Sequence, residues 1–174
     1  MDQLLFHPKL VHLPMALAVL MPFVTGGVLL AWWRGWLDRR SWVLVFALQA
    51  VLVGSGALAM NTGETEEERV EQVVAEKHIE THEEAAEAFV WASGAVLLLM
   101  TVAFVLPNGR SRQALLLSGF LGTLVVFGLG YSTGEAGGRL VYEYGAAHVY
   151  VVRDRGAIRG DIVTGDDVED GDSD

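Results

Sequence analysis

Four long apolar runs, separated by short polar intervals, dominate the chain: about Lys9–Trp33, Ser41–Met60, Ala85–Leu106 and Ala114–Tyr131. Each approaches the roughly 20 residues that a helix needs to cross the hydrocarbon core of a bilayer. None carries an ionised residue at its middle, Glu87 lying close to an end. The pattern predicts an all-α integral membrane protein, a four-helix transmembrane bundle occupying about residues 1–150. Pro22 falls inside the first run and cannot donate to the Ala18 carbonyl, so a kink is predicted there unless a neighbour compensates. The fourth run is rich in small residues, with Ser118 and Gly122, Gly119 and Thr123, and Gly130 and Gly134 each four apart. That spacing lets helix backbones approach closely in lipid, which predicts a compact bundle.

The polar intervals set the orientation. Arg34, Arg39 and Arg40 follow the first run and Arg110 and Arg112 follow the third, with Asp38 the one acidic residue in either turn. By the positive-inside rule these turns are cytoplasmic. Both termini and the long middle loop are then outside, which predicts a multi-pass protein of the cell (inner) membrane. Trp32, Trp33, Trp36 and Trp42 cluster at the same boundary, where indoles favour the headgroup level. The first run begins soon after Lys9, as in a secretory signal, but continues to Arg34 and is read as retained. Gly134–Tyr150 is predicted to be an extended cap or a turn-rich exit from the membrane. Val151–Asp174, ending in TGDDVEDGDSD, is predicted to be an acidic disordered tail.

Composition narrows the partners. With 52% hydrophobic residues and a mean hydropathy of +0.36, the first partner is the lipid bilayer. A net charge of −10 argues against nucleic acid, which needs clustered Lys and Arg to neutralise phosphate. The absence of cysteine removes disulfides, thiolate nucleophiles and cysteine-held zinc or iron–sulfur centres.

Between the second and third runs lies Asn61–Glu84, NTGETEEERVEQVVAEKHIETHEE, read as an acidic helical outer loop joining two similar hairpins. His12 and His82 stand about 70 residues apart, as do His7 and His78, and Thr62-Gly63-Glu64 matches Thr133-Gly134-Glu135 at the same interval. The chain is therefore read as two repeated helical hairpins in parallel. On that reading His12, Glu64, His82 and Glu135 share one depth at the outer end of the bundle, where inward side chains can converge on an ion. Imidazole and carboxylate together suit a transition metal ion, and two facing histidines such as His12 and His82 suit haem b. Glu67, Glu71, His78 and His82 would share a face if the loop were one helix. A break near Ala75–Lys77 is expected, which would set Glu67 or Glu71 opposite His82. The candidate metal ligands are thus His7, His12, Glu64, Glu67, Glu71, His78, His82 and Glu135. For each, the plainer reading is an interfacial histidine or a solvated glutamate.

Several motifs are missing. His82-Glu83-Glu84-Ala85-Ala86 lacks the second histidine of a zinc-protease helix. Ala75 and Ile79, where glutamate would be needed, break the Glu-x-x-His signature of di-iron bundles. No phosphate loop or nucleophile motif is present, and no catalytic residue is assigned.

Three stretches nonetheless form a recognisable set: HPKLVHLPMAL (His7–Leu17), TGETEEERVE (Thr62–Glu71) leading to IETHEEAA (Ile79–Ala86), and GGRLVYEYG (Gly137–Gly145). Together they resemble the bacterial membrane family catalogued as domain of unknown function 2231, over about Leu5–Val149. The resemblance implies four spans, and it implies redox work at the outer face, since some members look to be fused to Rieske or cytochrome c domains. Its matching positions here are His7, His12, Glu64, His82, Glu83, Gly137, Gly138, Tyr142 and Gly145. Leu13 stands where phenylalanine is usual, and Ala146-Ala147-His148 replaces a glycine-containing end, so His148 is not carried over as a ligand. The leading expectation is a metal or haem site serving electron transfer with a redox protein at the outer face. The alternative is a structural or partner-binding membrane protein without a cofactor. Self-association into a homo-oligomer is left open.

Overall fold

The computed structural model describes residues 10–107 and 109–146, the side chains of 66–69 excepted. These residues form four helices, α1 (His12–Trp33), α2 (Trp42–Val70), α3 (Glu76–Val105) and α4 (Arg110–Tyr142), with a 3-10 turn Arg39–Ser41 before α2. All four are long and apolar enough to cross a membrane, and the architecture is that of a multi-pass membrane bundle. α1 packs on α2 and α4, α2 packs on α3, and the α3–α4 contact is the most extensive. Large apolar side chains such as Phe23, Leu98, Val105 and Val125 point outward, where lipid is the fitting solvent.

Each helix turns one stripe to the centre. Leu17, Met21 and Leu29 of α1 meet Val45 and Leu52 of α2, Phe89, Val96 and Met100 of α3, and Leu116 and Val126 of α4 in one core. α4 supplies its share largely by absence of side chain. A Cβ at Gly122 would stand 2.6 Å from Val96 Cγ2, and one at Gly130 would stand 3.2 Å from the Phe89 ring and 3.3 Å from the Ala18 Cβ. Close approach through glycine substitutes for a hydrophobic driving force that lipid does not provide. Gly119 and Thr123 face inward as part of this seam, whereas Ser118 is exposed.

A polar layer crosses the core. Thr25, Gln49, Ser93 and Thr123, one from each helix, are fully buried. Gln49 Nε2 donates to the Ser93 carbonyl at 3.0 Å, while the Ser93 and Thr123 hydroxyls bond back to the carbonyls of Phe89 and Phe120 in their own helices. Mid-span polarity in this bundle is thus neutral, not ionised.

α1 runs through buried Pro22 as one helix. Two expectations are revised. The expected break between α2 and α3 is present but lies earlier, at residues 71–75 and ending at Ala75, with Val74 packed in a second apolar cluster with Ile79, Leu140 and Ala146. Residues 67–82 therefore form no continuous helical face. The segment from Gly134 onward is helix as far as Tyr142, since Gly134 and Gly137 let α4 close on Met15 and His82. α4 then ends with Gly145 at φ 76°, and the Ala146 N–H returns to the Leu140 carbonyl at 2.9 Å, a glycine-dependent helix stop. The acidic tail lies outside the described residues.

Gly130→Val is expected to destabilise the bundle by about 1–3 kcal/mol through overpacking. Gly128→Val, where a Cβ meets nothing within 4 Å, should leave the unfolding midpoint in detergent unchanged.

Candidate functional site

The helix registers settle how the acidic end is assembled. Met15 meets Gly134, Ala18 meets Gly130, and the His82 ring lies 3.1 Å from where a Gly137 Cβ would be. Trp32 against Trp42, with ring centres 6.3 Å apart, sets α1 against α2. These contacts carry His12, Thr62-Gly63-Glu64, His82 and Glu135 to nearly one level. Thr133 Oγ1 ties that level together, donating to Ala85 of α3 at 3.0 Å and to Leu129 of its own helix at 2.9 Å. Thr62 bonds back to Ala59 at 2.8 Å, so the two Thr-Gly-Glu segments are both helical.

Depth is shared, but direction is not. His82 is half-buried at the α3–α4 seam, while His12, Glu64, Glu71 and Glu135 are exposed. Glu135 accepts from Arg139 one turn on, at 3.0 Å. His78 stacks on Tyr144, ring centres 3.8 Å apart and planes 13° from parallel. His7 and His148 lie outside the described residues, as does the Glu67 side chain. Among the described residues, no three of His, Asp and Glu form a group able to hold a metal ion.

The stacked pair belongs to a small cap. Val70 and Tyr144 pack against the cluster of Val74, Ile79, Leu140 and Ala146, so the end of α2, the start of α3 and the end of α4 have an apolar core of their own. This core anchors the charged stretch: Val70, Val74 and Ile79 within it pack against Leu140 and Ala146 of the α4 end. On the outside of α3, Glu76, Glu80, Glu84 and Glu87 are all exposed, and their spacing of four, four and three places them on one face. Trp91, 75% exposed, continues that face at the next turn. The spacing of four, four and three is itself legible in the sequence.

Between α1 and α4 an open groove of about 320 Å³ is lined by Met15, Ala18, Phe127, Gly130, Tyr131 and Glu135. Its walls are apolar, and Glu135 and Tyr131 supply its polar atoms.

No family model matches the chain, and neither a curated protein nor a solved structure matches it.

Tyr144→Ala is expected to cost about 1 kcal/mol through loss of the aromatic stack. Amide hydrogen exchange should rise in the first turns of α3 and the last turn of α4, and Tyr144→Phe should restore protection.

Proposed function

We propose that this multi-pass protein presents an acidic helical cap outside the cell membrane as an interaction surface for a basic partner, with the arginine-bearing turns in the cytoplasm. The carrying observation is the row Glu76, Glu80, Glu84 and Glu87, exposed along one face of α3. Like charges one turn apart repel, and a cationic partner would relieve that repulsion while gaining charge-assisted bonds. The residues that looked like ligands support the same reading. His78 is engaged with Tyr144, His82 with Gly137, and Glu135 with Arg139. They hold the cap in shape so that the glutamates stand outward. The resemblance to the domain of unknown function 2231 family agrees with an outer-face role.

A second reading, a haem or transition-metal centre serving electron transfer, is favoured by the groove beside Met15 and Glu135, one turn from His12. Under it, His12 and His82 would be the residues to hold the iron or metal.

Protein in lipid nanodiscs, titrated with a lysine-rich peptide, is expected to bind in a salt-dependent manner. Replacing Glu76, Glu80, Glu84 and Glu87 together by Gln should weaken binding at least about tenfold, at roughly 1 kcal/mol or less per exposed pair. Replacing Glu64, Glu71, Glu135 and Glu143 removes the same charge off the row and should cost far less. Equal losses in the two variants would sink the proposal. A visible spectrum and elemental analysis of the same sample decide the second reading: a Soret band or stoichiometric metal, lost in His12→Ala and His82→Ala, would establish it.

A further inference from the structure

At the arginine-bearing end, opposite the cap, a buried cation shares a small cavity with an unanswered donor. Arg112 is 1% exposed although it is the third residue of α4. Its guanidinium carbon sits 5.5 Å from the centre of the Trp32 ring. Trp32 stands edge-on to Trp42, and Trp42 and Arg112 line a cavity of about 10 Å³ with Phe46, Met100 and Phe104. That is space for one water-sized group.

The polar chemistry of the cavity is one-sided. The Trp42 indole N–H is buried and has no acceptor among the described residues. An indole nitrogen only donates, and a guanidinium only donates. A second guanidinium closes the surroundings: Arg39 donates to the Phe104 carbonyl and lies 5.1 Å from the centre of the Phe104 ring. The single acidic residue of the two turns, Asp38, accepts from the Arg40 backbone N–H at 2.9 Å and caps the 3-10 turn. Donors and positive charge converge here, and a group that answers the Trp42 indole N–H must bring an oxygen acceptor, with negative charge favoured beside two guanidiniums.

We propose that this cavity receives an oxygen of the phosphate of an anionic phospholipid from the adjoining leaflet. That oxygen meets Trp42 and Arg112, which line the cavity, the rest of the phosphate lies outside against exposed Arg39, and the acyl chains run along the exposed faces of α2 and α3. Phe46 and Phe104, which line the cavity, are themselves partly exposed to that side, so a lipid reaches the cavity from within the membrane. Basic pockets between transmembrane helices at the headgroup level take anionic headgroups in this way. A guanidinium offers phosphate two parallel donors.

Native mass spectrometry on detergent-purified protein tests this, with phosphatidylglycerol, phosphatidylcholine or inorganic phosphate added. One phosphatidylglycerol is expected to be retained where phosphatidylcholine and inorganic phosphate are not. Two variants keep the net charge: Trp42→Phe removes the indole donor, and Arg112→Lys removes the fork. Each is expected to lower retention about tenfold, the loss of one bond to a charged group. Arg110→Gln, an exposed residue two positions away, should cost less than either. Thermal unfolding without added lipid confirms that each variant is folded. Undiminished retention in both charge-keeping variants would overturn the site, as would equal retention of phosphatidylcholine, or a loss in Arg110→Gln as large as in Arg112→Lys. Retention of inorganic phosphate in place of lipid would overturn the lipid as its occupant.

Discussion

Everything in this bundle depends on how near α4 can come to α3. In lipid, apolar side chains gain little by leaving one apolar medium for another, so association rests on contact surface and on the few polar bonds between helices. Gly119, Gly122 and Gly130 let Met100, Val96 and Phe89 lie directly on the α4 backbone. The same closeness continues past the membrane level, where Gly134 and Gly137 admit Met15 and His82. One glycine row therefore serves both the membrane-embedded seam and the cap. It also fixes the register that brings Thr133 to the Ala85 carbonyl.

The cap follows from that register. A helix of 33 residues is about 50 Å long at 1.5 Å per residue, well beyond the roughly 30 Å of hydrocarbon. α2, α3 and α4 accordingly run on past the level of His12 and need a core of their own, which Val74, Ile79, Leu140 and Ala146 supply. Polar chemistry divides along the same axis. One end presents carboxylates along α3; the other gathers arginine and tryptophan donors around Arg112.

The four helices were legible because runs of about 20 apolar residues have few other physical solutions. That α4 approaches its neighbours closely was legible from its small residues four apart, although the spacing alone does not separate inward Gly119 and Thr123 from exposed Ser118. The ends of the helices were not, since membrane-span reasoning stops where charge begins, and here helices continue into charged sequence on the strength of a few apolar residues. Among the candidate ligands, common depth followed from the repeat, but azimuth did not. Whether Glu135 faces the bundle axis or the outside, where it stands with Arg139 one turn on, depends on helix rotation, which nothing in the spacing of two hairpins specifies. Arg112 was read as one charge of a cytoplasmic turn, and its burial against Trp32 depends on how α1 and α4 meet.

The polar layer bears on assembly in time as well as in space. Thr25, Gln49, Ser93 and Thr123 are neutral and distributed singly, so no helix carries a strongly unfavourable group at its centre, and each remains apolar enough to enter the bilayer alone. Once inserted, α2 is marked by Gln49, whose side chain reaches the Ser93 carbonyl of α3. A turn of α2 by a single residue, about 100° at 3.6 residues per turn, would swing Gln49 away from the Ser93 carbonyl and into lipid. The amide thus acts after insertion as a rotational key, selecting one azimuth for α2 among the many that its uniformly apolar surface would tolerate.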